Sequence, residues 1–320
     1  MIARPAIAPL APCEQSCGEG FSDALLAGLN SAPKSIPCKF FYDAAGSLLF
    51  EKICALPEYY PTRTELMLLR THADEMAAKI GPHAEIVEFG AGASEKIRPL
   101  LNALEEPRAY LPIDISGSYL RSITDRLRNE YPALAIEPIV GDFTREVSLP
   151  PSNERRIGFF PGSTIGNFEP GEACAFLANA AHMLKGGGLL VGVDLVKDPT
   201  ILHAAYNDRA GVTAAFNKNL LLRANREVGA NFELAHFAHY AFYNPQHRRI
   251  EMYLVSTAPQ RATIDGRAIA FGEGEAIHTE YSYKYTLEDF CALASSAGFI
   301  PRAVWCDANR LFSIHWLETA

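Results

Sequence analysis

Apolar and polar residues alternate with two different periods along the middle of the chain. Apolar runs of strand length lie at 84–89, 109–115, 133–140, 156–160 and 189–196. Between them, apolar residues recur at helical spacing, at 65–80, 116–131 and 170–184. Strands that alternate with helices of this length predict a parallel sheet with helices on both faces.

The alternation stops at about residue 198 and resumes at about 284. The interval has a helical stretch at 203–225 and β-like runs at 232–243, 250–256 and 263–264. A helix begins near Thr286. Ser116 is the predicted N-cap of the earlier helix 116–131. Two final strands, 301–306 and 311–317, are close enough to form a hairpin. This order predicts an α/β fold, a class I seven-stranded Rossmann-like methyltransferase core with an inserted α+β lid domain.

The insertion leaves the carboxyl end of the fifth strand, which is the edge where open α/β sheets bind ligands. We therefore expect it to cover the active site. The predicted domains are a core of 63–197 and 284–320, a lid of 20–62 and 198–283, and a flexible arm of 1–19 rich in alanine and proline.

Composition and charge narrow the possible partners. The net charge of −8 opposes a polyanion-binding surface, so no nucleic-acid partner is expected. An uncharged stretch at 157–168 is too short, and too broken by Pro161, to span a bilayer. The seven cysteines form no CxxC pair, which favours a cytoplasmic protein with reduced thiols. His236 and His239 lack a convincing third ligand, so we expect no metal. We also expect a monomer.

A glycine-rich turn follows the first strand of the alternating region. Gly90 and Gly92 allow a ligand to approach the backbone closely. Asp114, at the end of the second strand, suits ribose hydroxyls, and Asp142 with Phe143, at the end of the third, suit an adenine. The third glycine of the dinucleotide fingerprint is missing, which favours S-adenosylmethionine. Each feature alone is equally typical of a structural turn or a solvated loop end.

Asn167 lies in the turn after the fourth strand, at 162–168, which faces the transferred methyl group in this fold. Its amide can bind a substrate carboxylate or amine, although an asparagine that shapes a glycine-rich turn is the equal alternative. The aromatic residues at 40–60 either pack against the core or offer the faces that sulfonium and methylated ammonium groups favour.

Four stretches resemble the signatures of the histidine Nα-methyltransferases of ergothioneine biosynthesis, the EgtD family. They are 41–65, 88–96, 159–168 and 280–285. The resemblance covers nearly the whole chain from about residue 30. It implies the transfer of three methyl groups in turn from S-adenosyl-L-methionine to the α-amine of L-histidine through the mono- and dimethylated intermediates, giving hercynine.

The resemblance also implies a role for each matched residue. Together with the glycine turn, it gives a cofactor site of Tyr42, Tyr59, Gly90, Gly92, Lys96, Asp114, Asp142 and Phe143. The amino-acid site is Phe50 and Gly162 at the amine, Asn167 and Tyr206 at the head group, and Met252, Glu280 and Ser282 at the imidazole. The assignment of roles to Tyr206 and Met252 rests on weaker local similarity than that of the other residues.

The chemistry of the residues agrees with this assignment. Glu280 can accept an imidazole N–H and favour a protonated ring, and the Ser282 hydroxyl can complement the other nitrogen. Without the resemblance, an exposed turn after a strand is the simpler interpretation of both. No strong general base is present, so water or Tyr42 receives the amine proton, and Tyr42 and Asn167 are the predicted catalytic residues. Two alternatives stay open, a related enzyme acting on another aromatic amino acid and a silent S-adenosylmethionine-binding regulator.

Overall fold

The computed structural model describes residues 20–92, 94–145 and 147–320. Its strands are β1 (Lys34–Ser35), β2 (Glu85–Phe89), β3 (Ala109–Asp114), β4 (Ala135–Ile136), β5 (Ile139–Val140), β6 (Arg156–Phe160), β7 (Gly188–Asp194), β8 (Phe237–Asn244), β9 (Arg249–Ser256), β10 (Gln260–Ile264), β11 (Arg267–Phe271), β12 (Ala276–Tyr283), β13 (Phe299–Cys306) and β14 (Phe312–Thr319). Its helices are α1 (Phe21–Asn30), α2 (Ala44–Cys54), α3 (Tyr60–Thr71), α4 (Ala73–Ile80), α5 (Ile97–Ala103), α6 (Gly117–Glu130), α7 (Pro170–Met183), α8 (Pro199–Tyr206), α9 (Val212–Glu227) and α10 (Leu287–Ser296). The predicted arm, 1–19, lies outside the described residues.

The central sheet has the order β13-β14-β7-β6-β2-β3, with β4 and β5 both pairing to β3. The strands from β2 to β7 are parallel, and β14 runs antiparallel between β7 and β13. This is the strand order of a class I methyltransferase, so the predicted fold is confirmed. The predicted third strand, 133–140, is two short strands, because Pro138 between them has no backbone N–H to donate.

Three local predictions about helices are wrong in detail. The helix predicted at 65–80 is two helices, α3 and α4, that break at His72, where the backbone leaves the helical region. The stretch 203–225 divides into α8 and α9 because Gly211 adopts a left-handed φ of 72°. The Ser116 side chain makes no cap hydrogen bond. Its backbone N–H instead donates to Asp114 Oδ1 at 2.8 Å.

A second sheet covers one edge of the first, with the order β1-β12-β9-β8. The patterns in the sequence predict neither β11 nor β12. In β12, polar and charged residues occupy buried positions and hide the apolar alternation. A separate apolar core lies beneath this sheet, where Phe41 of the N-terminal segment stacks on Phe216 of α9 with centroids 4.4 Å apart.

The insertion leaves and rejoins the central sheet at the same place. It leaves after Asp194 at the end of β7, and the chain returns at Tyr285, whose N–H donates to the Asp194 carbonyl at 3.1 Å. The second sheet is therefore fixed over the carboxyl edge of the parallel strands. Within the described ranges, no helix is both long and apolar enough to cross a membrane.

Candidate functional site

A cavity of about 480 Å³ lies between the carboxyl edge of the central sheet and the second sheet. Every residue that the sequence predicts for the site lines this one cavity. They are Tyr42, Phe50, Tyr59, Gly90, Gly92, Lys96, Asp114, Asp142, Phe143, Gly162, Asn167, Tyr206, Met252, Glu280 and Ser282. The structure thus brings together residues from both sheets and from the N-terminal segment.

One end of the cavity is formed by the ends of β2 and β3. Gly90 has a φ of 74°, and a Cβ there would lie 3.2 Å from the Phe143 ring, so glycine allows the turn to pack against that ring. Burial raises the pKa of Asp114 to about 6, and its Oδ1 is held by the Ser116 N–H. Asp142 lies on the rim, where its Oδ2 is 3.3 Å from Lys39 Nζ. This end offers acidic oxygens and an aromatic face to a polar ligand.

Glu65, which no motif in the sequence singles out, connects this end of the cavity to the turn after β6. Its carboxylate is 2.7 Å from Lys96 Nζ, and both its oxygens accept the Gly162 N–H at 2.9 Å. Gly192 makes room for it, because a Cβ there would lie 2.0 Å from Glu65 Oε1. Burial alone would lower the pKa of Lys96, but the Glu65 charge outweighs it and raises that pKa. The only sequence signal for Glu65 was its place in the stretch 41–65.

The turn after β6 brings Asn167 to the middle of the cavity. Ser163 in this turn adopts a left-handed φ of 56°, and its Oγ accepts the Asp194 N–H at 2.9 Å. The Asn167 amide makes no hydrogen bond with any other described residue. Both ends of the amide are therefore free to bind a ligand.

Aromatic side chains form one wall of the cavity, the aromatic wall. The ring centroids of Tyr42 and Phe50 are 5.6 Å apart, those of Phe50 and Tyr59 are 6.2 Å apart, and those of Tyr59 and Tyr206 are 6.4 Å apart. Phe216, not predicted for the site, packs 5.9 Å from Phe50. Burial holds the pKa of Tyr42 and of Tyr59 well above the ordinary range, so both are neutral phenols at neutral pH.

The far end of the cavity is lined by β12 and β9. Glu280 is 8% exposed and pairs with Met252 across the two strands. Burial raises the pKa of Glu280 to about 7, and the charge of Lys284 limits the rise. Glu280 makes no side-chain hydrogen bond with another described residue. The simpler interpretation of Glu280 and Ser282 as an exposed turn is wrong, because both are buried in a strand.

A cluster of charged side chains around Asp194 lies beside this end of the cavity. Lys284 Nζ lies 2.9 Å from Asp194 Oδ2, and Lys197 Nζ lies 2.5 Å from Asp194 Oδ1. The Tyr60 hydroxyl also donates to this carboxylate, at 2.7 Å. No pattern in the sequence predicts this cluster, although Lys284 lies in the stretch 280–285 that resembles a family signature.

The side chains of His239 and Cys38 are both engaged or buried in the fold. The ring nitrogens of His239 bond to the Asn217 amide and to the Tyr206 carbonyl, both at 2.9 Å. The described part of the chain holds no group of three or more side chains that could bind a metal ion. Cys38 lines the cavity, but burial raises the pKa of its thiol to about 12.

Comparison with known proteins adds to this geometry. Residues 21–319 match the family model described as histidine-specific methyltransferase, SAM-dependent. The chain is 43% identical to a histidine N-alpha-methyltransferase of Mycolicibacterium smegmatis over 91% of its own length and 92% of that protein. It is 40% identical to one of Mycobacterium tuberculosis over 88% and 89%. A 4-dimethylallyltryptophan N-methyltransferase of Penicillium roqueforti is 27% identical over 91% and 92%.

Proposed function

This chain belongs to the family of S-adenosylmethionine-dependent, histidine-specific methyltransferases, and from that premise we propose that it trimethylates the α-amine of L-histidine to hercynine, a step of ergothioneine biosynthesis. The observation that carries the proposal is the single cavity that joins the glycine turn of β2 to the buried carboxylate of Glu280. A cavity of about 480 Å³ is within the range of small-molecule sites.

The cofactor end fits S-adenosylmethionine, which supplies an activated methyl group on a sulfonium. In our assignment, Asp114 accepts from the ribose hydroxyls, and Asp142 with Phe143 holds the adenine. Gly90 and Gly92 let the ligand approach the backbone. Lys96 would hold the carboxylate of the cofactor, and Tyr42 and Tyr59 would offer aromatic faces to its sulfonium.

The amino acid fits the other end. Asn167 and Tyr206 hold its head group, and Phe50 and Gly162 line the space for the amine. Glu280 and Ser282 take the two ring nitrogens, and Met252 sets the width of the ring pocket.

The reaction is an in-line displacement. The amine lone pair forms a bond to the methyl carbon, and the electrons of the breaking carbon–sulfur bond pass to sulfur. The protein therefore aligns the amine and lets it lose its proton. Tyr42 is a neutral phenol, so its oxygen accepts a hydrogen bond from an amine N–H while water carries the proton away. No residue of the cavity need become covalently attached to the substrate.

The test is incubation with S-adenosylmethionine and a panel of the twenty amino acids, followed by mass spectrometry. We expect histidine alone to gain one, two and finally three methyl groups. Methylation of tryptophan or tyrosine instead would favour the first alternative, an enzyme for another aromatic amine, which the similarity to a 4-dimethylallyltryptophan N-methyltransferase supports. No mass gain on any amino acid, with S-adenosylmethionine bound, would favour a regulator.

Tyr42 gives a second, sharper test. Each methylation removes one N–H that its oxygen can accept, so Tyr42→Phe should change the rates of the three steps unequally. The measurement is the time course of mono-, di- and trimethylated histidine in single turnovers. A common factor for all three steps would remove Tyr42 from the chemistry.

We also propose the division into a core of 63–197 and 284–320 and a lid of 20–62 and 198–283. The separate apolar cores of the two parts support it. The cavity is complete within one chain, which supports a monomer, and the free thiols among the described cysteines suit the cytoplasm.

A further inference from the structure

Lys284 donates to three acceptors beneath the ring end of the cavity. Its ammonium is 2.9 Å from Asp194 Oδ2, 2.7 Å from Ser282 Oγ and 3.3 Å from the Tyr206 hydroxyl oxygen. Its side chain is 1% exposed. An ammonium has three N–H donors and no acceptor, so Lys284 occupies one lone pair on each hydroxyl oxygen and can receive no proton from either.

The two hydroxyls are also bonded to each other. The Tyr206 and Ser282 oxygens are 2.8 Å apart. The pair has two protons, of which one lies between the oxygens. Apart from Lys284, which can only donate, no other described side chain forms a hydrogen bond with either hydroxyl. The second proton can therefore point only into the cavity, either from Tyr206 or from Ser282.

We propose that the pair works as a single donor, so that a substrate carboxylate which takes the Tyr206 proton turns Ser282 into an acceptor, and the pocket then selects histidine with both ring nitrogens protonated. This inference rests on the proposed function, which places the head group at Tyr206 and the ring at Ser282.

The number of protons and lone pairs on the two hydroxyls determines which of them can donate to a ligand. When Tyr206 donates to the carboxylate, the proton between the oxygens must come from Ser282. Ser282 Oγ then accepts from Lys284 and has one lone pair left, which faces the ring. Above its pKa of about 7, Glu280 is ionised and is the second acceptor at the ring, with no other hydrogen bond among the described residues. Two acceptors require two N–H donors, which only the imidazolium form has.

A neutral isostere of histidine tests the inference. β-(1,2,4-Triazol-3-yl)alanine has the same size but a weakly basic ring that stays neutral at pH 8 and has one N–H. Both ligands are titrated calorimetrically at pH 8, above the pKa of about 7 of Glu280, in the presence of S-adenosylhomocysteine, which prevents turnover. In wild type, we expect the triazole to bind at least about tenfold more weakly than histidine, because one buried acceptor is left unpaired.

Tyr206→Phe should change this preference, because Ser282 then has only the cavity to receive its proton and becomes a donor. We expect the ratio of the two dissociation constants to fall by at least about fivefold. The loss of the head-group contact is common to both ligands and cancels in the ratio. Ser282→Ala removes the acceptor without creating a donor, so its ratio should fall less. The matched control is Tyr283→Phe, whose hydroxyl bonds to Glu169 at 2.6 Å and does not touch the pair.

Two results would overturn the inference, equal binding of the two ligands by wild type and an unchanged ratio in Tyr206→Phe. The proposed function is judged separately, by methylation of histidine in the same wild-type preparation. If histidine is methylated while the ratio does not move, the proton count is wrong and the function stands. If histidine is not methylated, the function itself fails.

Discussion

At the scale of single residues, the site depends on buried charges that act through their neighbours. Glu65 is 1% exposed and holds both the Lys96 ammonium and the Gly162 N–H. It therefore sets the position of a proposed cofactor contact and of the turn that faces the reacting amine. Lys96 and Gly162 line the cavity and Glu65 acts through them, so Glu65 is a positioning residue.

Glu65→Gln should weaken S-adenosylhomocysteine binding by about tenfold. The amide keeps the Gly162 contact but removes the charge that stabilises the buried Lys96 ammonium, and a hydrogen bond to a charged group contributes about 1.5–3 kcal/mol. Calorimetry measures the affinity. Glu85→Gln is the control, because Glu85 pairs with Arg156 at 3.0 Å at the start of β2, the opposite end of the strand from the cavity. Equal affinities in the two variants would contradict the role of Glu65.

The raised pKa of Glu280 predicts how the stability of the protein depends on pH. Its pKa is about 7 in the fold because burial disfavours the charged form, and about 4.3 in an unfolded chain. A raised pKa means that stability is full below about pH 4.3 and is lost as pH rises through about 7. Glu280→Gln cannot ionise, so its melting temperature relative to wild type should climb between pH 5 and 8, by at least about 2 °C.

Glu251 on the neighbouring strand is the control for Glu280. Burial alone would raise the pKa of Glu251, but hydrogen bonds from Tyr253 and Arg249 outweigh it and lower the pKa. A lowered pKa means that the stabilising charge is present across this range and is lost only as pH falls further. Glu251→Gln should therefore melt below wild type by a difference that stays flat from pH 5 to 8. The same flat difference for Glu280→Gln would show that its carboxylate is not destabilised by the fold.

How far the sequence predicts the site depends on where the partner of each residue lies. Residues that belong to a local motif and line the cavity, such as Gly90 and Asp114, can be predicted from the ends of strands. Glu65 and Lys284 do not, because their partners are far along the chain, as with Asp194 and Lys284. Their charges are satisfied only when the fold brings β7 and the end of the insertion together, and no local pattern encodes this.

At the scale of elements, prediction succeeds where the buried surface of a strand or helix is apolar. The parallel strands are buried on both faces and show as apolar runs, and α7 begins with the capping box of Glu169 and Glu172. β12 was missed because its buried face carries Glu280 and Ser282 instead of apolar residues. A strand that places polar side chains in a ligand cavity loses its hydrophobic period there.

Helix α2 of the proposed lid is tied to helix α6 of the core by one hydrogen bond. The Tyr119 hydroxyl donates to Glu51 Oε1 at 2.6 Å, on the rim of the cofactor end. Glu51→Gln replaces a charged acceptor by a neutral one and should let the N-terminal segment open more often. We expect S-adenosylhomocysteine to dissociate about two- to tenfold faster, measured by stopped-flow displacement.

Glu130→Gln is the control for Glu51. Glu130 is also partly exposed and bonds a core side chain, Arg98, at 2.9 Å, but both partners belong to core helices. Its dissociation rate should match wild type. Should Glu51→Gln also match wild type, the contact between α2 and α6 does not hold the cavity closed.

At the scale of the whole molecule, the cavity belongs to neither sheet alone. The central sheet supplies Gly90 and Asp114, the second sheet supplies Glu280, and Tyr42 and Phe50 of the N-terminal segment lie between them. A ligand at either end therefore packs against the same aromatic wall. The first ligand to bind loses conformational entropy when it orders these side chains, and the second ligand then binds without that loss.

Cofactor and amino acid should consequently bind with positive coupling. We expect S-adenosylhomocysteine to strengthen histidine binding at least about fivefold and, by linkage, histidine to strengthen S-adenosylhomocysteine binding by the same factor. Four calorimetric titrations close this cycle. Phe50→Leu keeps the wall apolar but removes the ring that contacts both Tyr42 and Tyr59. It should reduce the coupling factor more than it reduces either affinity alone. Independent binding in wild type would mean that the two ends of the cavity are ordered before any ligand arrives.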